Sequence, residues 1–173
     1  NQEDNCTGHF WEGRFKSQAL LDEAALAACM AYVDLNPVRA NIAKTPETSA
    51  YTSVKTRVEK AKKGKQPEML LSFVGNPRQA MPKGLPFELK DYLELIDMTG
   101  RCLREDKAGH IEKNQPALLS RLNITPENWL TLTKDFRKLF HGAVGHSDVL
   151  SDYCEHKGLK RRTNISCCDK LLA

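Results

Sequence analysis

The 173-residue sequence lacks paired histidines: its five are His9, His110, His141, His146 and His156, and no two are separated by a single residue. It therefore has no His-hydrophobic-His strand, the pattern that turns two neutral imidazoles to the same side so that both reach one metal ion. It also lacks any apolar run long enough to span a bilayer, and its first residues, NQEDNCTGHF, carry no basic segment followed by an apolar stretch. A cytoplasmic location with no membrane partner is the expectation. Without an export signal, Cys6, Cys29, Cys102, Cys154, Cys167 and Cys168 are expected as reduced thiols rather than disulfides. Cys154-x-His156 followed by Cys167-Cys168 matches no common zinc spacing, so these read as unpaired surface thiols. Glu88, Asp91, Glu94 and Asp97 have no converging histidine and read as a solvated helix edge. The chain shows no internal repeat and no low-complexity tract.

The net charge of +4 is too mild to mark a nucleic-acid binder by itself. Its distribution says more. Lysine and arginine concentrate in KTRVEKAKKGK, from Lys55 to Lys65, and in KGLKRR, from Lys157 to Arg162, while Arg14, Lys16 and Arg39 flank the segment around Tyr32. Such runs are often solvated faces or linkers, and both readings stand for the first of them.

A chain of this length holds one or two small domains. FWEGRFKSQAL, from Phe10 to Leu20, fits a strand, with Gly13 permitting a bulge. A helix follows, with Asp22 as its cap and Leu26, Cys29, Met30 and Val33 at the spacing of a buried face. Asn36-Pro37 interrupts it, because the residue before proline is pushed out of helical geometry. Val38 to Ala43 has room for one further turn. Prolines, glycines and lysines between Thr45 and Pro86 then suggest a linker with short helical pieces. The expected division is 1–60, 61–85 as linker, and 86–173 as a helical extension.

Within the extension, PFELKDYLELIDMTGRCLRED predicts an amphipathic helix with Leu89, Leu93, Ile96 and Leu103 on one face and Gly100 bending or ending it. ITPENWLTLTKDFRKLFHG predicts the clearest helix of the chain. Thr125 caps it, Pro126 opens it, Gly142 lies beyond its end, and Trp129, Leu132, Phe136 and Phe140 form its apolar stripe. SDVLSDYCEHKG predicts a last helix from Ser147 to Gly158, forming with its predecessor a helix-turn-helix-like pair. Asp148, Asp152 and Glu155 on that helix suit solvent better than a DNA groove.

Two motifs, GHFWEGRFKSQ and AYVDLNPVRA, together resemble the carboxy-terminal half of the catalytic domain in REP-associated tyrosine transposases, the single-tyrosine branch of the HUH nuclease superfamily. The resemblance is specific from Gly8 to Ile42 and continues more loosely into the extension. It implies an α+β fold, a partial ferredoxin-like catalytic domain of strand plus tyrosine helix, followed by a mainly helical extension. It also implies that Tyr32 is the catalytic nucleophile, attacking single-stranded hairpin DNA to leave a 5′-phosphotyrosine and a free 3′-hydroxyl. In that family a divalent metal, Mg or Mn, is held by a histidine pair on an upstream strand. This sequence departs from the pattern in having no such pair and no cofactor site of its own. The chain is therefore expected to be the downstream part of a longer transposase, or a remnant of one, inactive alone, with the missing amino-terminal half or a homo-oligomer as its protein partner. The rival expectation is a non-catalytic DNA-binding or interaction protein derived from one.

The residues support both a functional and a packing role. A phenol with an ordinary pKa of about 10 is a poor nucleophile until a metal, a base or substrate geometry assists it. Ala25, Ala28 and Cys29 precede Tyr32 at spacings of seven, four and three, leaving room beside it for a DNA strand or a packed sheet. Asn36, one turn on, can meet a phosphate or close its own turn. Arg39 can clamp a phosphate. Arg14 and Lys16, on the opposite face of an extended segment from Phe15, suit DNA backbone contacts, with an Arg14–Glu12 ion pair as the other reading.

Overall fold

A computed structural model of the chain describes residues 17–75, 83–104, 116–161 and 163–172. These residues build helices α1 (Glu23–Asp34), α2 (Asn36–Arg39), α3 (Ser53–Ala61), α4 (Leu89–Cys102), α5 (Ala117–Leu122), α6 (Pro126–Leu139), α7 (Ser147–His156) and α8 (Ile165–Leu171), with a 3-10 turn at Pro46–Thr48. The expected α+β, partly ferredoxin-like arrangement is corrected by this architecture. Among the described residues there is no sheet, and extended backbone meets only in two isolated parallel bridges, Leu20 with Val144 and Phe73 with Leu85. Most of the strand expected over Phe10 to Leu20 lies outside the described residues. The physical reason for the correction is what covers α1. The face expected to lie on a sheet is packed instead against α6, the most extensive helix pairing among the described residues.

Helix α1 begins where Asp22 accepts a hydrogen bond from the Ala25 amide at 2.8 Å, satisfying one of the free donors of the first turn. Its buried face is made of Ala24, Ala25, Ala27, Ala28 and Ala31, with Asp34. The larger apolar residues expected there do not form it. Leu26, Cys29 and Met30 are half-buried and Val33 is 60% exposed. Small side chains allow close approach between helices, whereas hydrophobicity alone ranks leucine and methionine above alanine. The chain then leaves α1 at Leu35 and restarts at once as α2, with Pro37 in the first turn, where its missing N–H costs nothing.

The other elements follow local chemistry. Thr125 caps α6 by accepting from the Asn128 amide, Pro126 opens the helix, and Trp129, Leu132, Phe136 and Phe140 are buried as predicted. Helix α4 buries Tyr92, Leu95, Ile96, Thr99 and Gly100, so its inner face is rotated from the expected one. Gly100 neither bends nor ends it. A Cβ there would stand 3.2 Å from Pro46, so the glycine marks a close approach of the 3-10 turn. Helix α3, within the lysine-rich stretch, is capped by Thr52 and buries Val54 and Arg57. Cys154 and Cys168, read as surface thiols, are buried in the core, and the described cysteines are all free.

Buried residues from Ala24 to Leu172 form a single cluster. Among the polar groups it encloses, Asp34, Thr99 and Arg57 are hydrogen-bonded across elements, while Thr133 bonds within α6 and Arg57 Nε is left without a hydrogen-bond partner among the described residues. The Tyr92 hydroxyl donates to Asp34 Oδ2 at 2.7 Å, Ser53 donates to Asp34 Oδ1, and the Trp129 indole N–H donates to Thr99 Oγ1 at 2.8 Å. Arg57 donates to the Leu71 carbonyl at 3.0 Å and lies over the Phe73 ring at 4.7 Å. Burial lowers the Arg57 pKa, an effect that nearby Asp34 opposes. No described helix is long and apolar enough to cross a membrane.

Candidate nucleic-acid interface

Tyr32 lies in the last turn of α1, half-buried, with its ring 6.0 Å from that of Phe136 on α6. The break at Leu35 decides what else it meets. Because α2 restarts immediately, its last residue, Arg39, folds back and places its guanidinium carbon 4.0 Å from the Tyr32 ring centroid, a cation–π contact. Arg39 Nη1 donates to the carbonyls of Tyr32 at 3.2 Å and Thr133 at 3.0 Å, and Nη2 donates to Asn36 Oδ1 at 2.8 Å. Tyr32, Asn36 and Arg39 are thus one constellation, joined to α6 through Thr133. Arg39 has five N–H donors, and these bonds leave Nε and one Nη2 hydrogen free of partners among the described residues. Asn36 spends its side-chain oxygen on Arg39, which supports the local reading of that residue. Arg14 and Lys16 lie outside the described residues.

Helix α6 adds cations to the same surface. Lys138 pairs with Asp135 at 2.7 Å, and that hydrogen bond, then the charge of Asp135, raises the lysine pKa. Smaller effects on Lys138 come from Tyr32, whose ionised form would raise its pKa, and from the Arg39 guanidinium, which lowers it. Lys134 lines a cleft of about 480 Å³ together with Arg39, Asn41, Thr131 and Asp135. A second cleft, of about 680 Å³, is lined by Ser17, Gln18, Cys29, Arg137, Phe140 and His141. Gln18 is held there by donating to the Phe140 carbonyl at 2.8 Å. Lys134, Arg137 and Lys138 were not singled out from the sequence. Their signal was present in TKDFRKLFHG as three cations spaced by three and four residues between the apolar positions of α6.

Among the described residues no group of three histidine, cysteine or acidic side chains is gathered to hold a metal. His146 instead closes a structural contact, its backbone N–H donating to Asp22 Oδ2 at 2.6 Å with its Nδ1 2.9 Å from the same oxygen. On the tail, α6 and α7 each pack against α8, and Asp148, Asp152 and Glu155 of α7 are exposed.

Fold and site define a helical protein with a half-buried tyrosine beside a basic helix edge. Compared with known proteins, the chain matches no family model, no curated protein and no solved structure.

Proposed function

We propose that the chain is the carboxy-terminal portion of a single-tyrosine DNA transposase, with Tyr32 as nucleophile on single-stranded hairpin DNA. The supporting observation is the setting of Tyr32: half-exposed, under the Arg39 guanidinium and within electrostatic reach of Lys138. Positive groups around a phenol favour approach of a phosphodiester and stabilise charge as it develops on phosphorus oxygens. In the step, the phenol oxygen forms the new bond to phosphorus and the 3′-oxygen of the preceding nucleotide leaves. The phenol proton is lost and the departing 3′-oxygen gains one, giving a 5′-phosphotyrosine and a 3′-hydroxyl. A metal-holding histidine pair, with Mg or Mn, would come from outside these 173 residues, from an upstream half. The location consistent with this reading is cytoplasmic.

The test is covalent capture of a labelled hairpin oligonucleotide. The chain alone, with magnesium or manganese, is expected to form no adduct that survives denaturing electrophoresis. With the histidine-bearing segment supplied, an adduct is expected and Tyr32→Phe abolishes it. An adduct on the isolated chain contradicts the proposal, as does one that persists in Tyr32→Phe; exposed Tyr51 would then be the next nucleophile to examine. The second reading, a non-catalytic DNA-binding protein of the same descent, is favoured by the internal commitment of Arg39, whose bonds to Asn36, Tyr32 and Thr133 serve the fold. Binding without an adduct under the completed conditions selects it.

A further inference from the structure

We propose that α6 carries a phosphate track for single-stranded DNA, formed by Lys134, Arg137 and Lys138 with His141 at its end. This rests on the DNA reading above and assigns to the helical extension a binding surface of its own. Lys134, Arg137 and Lys138 stand three and four residues apart on α6, whose backbone departs from helical geometry at Asp135, and His141 follows just beyond the helix end; all four residues are exposed. The opposite side of α6 buries Trp129, Leu132, Thr133 and Phe136, so the stripe faces away from the core. A solvated stripe of mixed charge would need no partner, but this one is mixed only along its length. Glu127 stands at the amino-terminal end, and in the basic stretch Asp135 offsets Lys138 alone. The helix dipole favours cations in the last turn and so accounts for Arg137 and Lys138. It does not account for Lys134, a turn earlier and placed where it repels Lys138.

Position joins the stripe to the tyrosine. Lys138 is within electrostatic reach of Tyr32, and the Thr133 carbonyl holds Arg39. The two clefts take in opposite ends of the stripe, one containing Lys134 with Arg39 and Asn41, the other Arg137 and His141 with Ser17 and Gln18. From residue 134 to 138 a helix rises about 6 Å. Phosphates of a stacked strand repeat at about 3.4 Å, so the stripe spans roughly three of them, one for each lysine or arginine. A flexible single strand can follow such an edge and enter the polar clefts beside it.

The experiment is fluorescence anisotropy of a labelled oligothymidylate of about 20 nucleotides, titrated with the full 173-residue chain from low to moderate NaCl. The triple variant Lys134→Ala, Arg137→Ala, Lys138→Ala is expected to bind at least about tenfold more weakly at low salt. Its log-log salt slope should fall by about 2, since each phosphate contact on a single strand contributes roughly 0.7. Two controls isolate the stripe. Lys60→Ala, Lys62→Ala, Lys63→Ala removes equal charge elsewhere and is expected to change binding much less; the charge-conserving Lys134→Arg, Arg137→Lys, Lys138→Arg should retain affinity. If the wild-type chain binds and the α6 triple leaves affinity and slope unchanged, or if both alanine triples weaken binding equally, the track is overturned while the DNA reading stands. If the wild-type chain fails to bind at the lowest salt, the track is overturned, and the DNA reading is decided separately by covalent capture with the histidine-bearing segment supplied. Oligoglutamate displacing the oligonucleotide at equal charge concentration would also overturn the track, in favour of an acidic protein partner. Because the three side chains are exposed, melting followed by circular dichroism should be unchanged in every variant.

Discussion

Asp34 is the residue on which three helices meet. It ends α1 with 3% of its surface exposed, and receives hydrogen bonds from Tyr92 of α4 and Ser53 of α3. A buried carboxyl group needs such partners, and removing one leaves an acceptor unsatisfied at a cost of about 1–3 kcal/mol. Tyr92→Phe is therefore expected to lower stability by that amount at neutral pH, measured by urea unfolding. The same pair sets a pH limit. Burial, first, and then the charge and hydrogen bond of Asp34 raise the Tyr92 pKa well above its ordinary value. Above an ordinary tyrosine pKa of about 10 the unfolded chain loses this proton while the folded one keeps it. The stabilisation present below that pH is thus lost as pH rises. Melting temperature should fall steeply above about pH 10, and less steeply in Tyr92→Phe; parallel slopes would show that Tyr92 is not the group responsible. Asp34 stood in plain view within AYVDLNPVRA, but its burial was not legible, because its partners lie 19 and 58 residues away. Tyr32 was a candidate because AYVDLNPVRA resembles a family motif, and Asn36 and Arg39 because they follow it within two turns. What sequence spacing did not show is that the proline-led restart folds Arg39 back over the tyrosine ring.

Among the elements, α6 was readable apart from the break in helical geometry at Asp135 and its end at Leu139, and α1 was not, for opposite reasons. The cap, first-turn proline, aromatic stripe and terminal glycine of α6 all point the same way, and agreement among local signals is what makes a helix legible. In α1 the largest apolar residues mark the half-exposed side, while the core takes the alanines. An alanine face was not recognised as a packing face because its energy comes from close approach to α6 rather than from area. Ala28→Leu should therefore be costly despite adding hydrophobic surface, by about 1–3 kcal/mol from overpacking. Val33→Ala, at a position 60% exposed, should fall within about 0.5 kcal/mol of the parent. Denaturant midpoints of the two variants decide the matter, and a stabilised Ala28→Leu would mean that α1 has slack against α6. The absent sheet has the same origin. A strand signal over Phe10 to Leu20 is a local preference, and the described part of it finds a single bridge, Leu20 with Val144, rather than a neighbouring strand.

At the scale of the molecule, the first and last thirds of the chain hold one another. Helix α1 packs on α6, Glu23 pairs with Arg121 at 2.7 Å, and the Leu21 amide donates to the Val144 carbonyl at 2.9 Å. Asp22 does two tasks at this junction. One carboxylate oxygen caps α1 and the other receives the His146 N–H at the start of α7. Gly145 permits that closeness, since a Cβ there would stand 2.8 Å from the Asp22 carboxylate. A chain divided near residues 61–85 into independently stable parts would unfold in two steps, each part with its own midpoint. One buried cluster running from Ala24 to Leu172 predicts a single cooperative step instead. The measurement is urea unfolding of a Trp11→Phe chain, with Trp129 fluorescence reporting the core around α6 and far-ultraviolet circular dichroism reporting all helices. The two curves should superimpose. Asp22→Ala should then move both midpoints together, by a stability loss of about 1–2 kcal/mol for the lost cap. A fluorescence curve that stays in place while the dichroism curve shifts would show that α6 folds without α1, and that the junction at Asp22 is a contact between separate units.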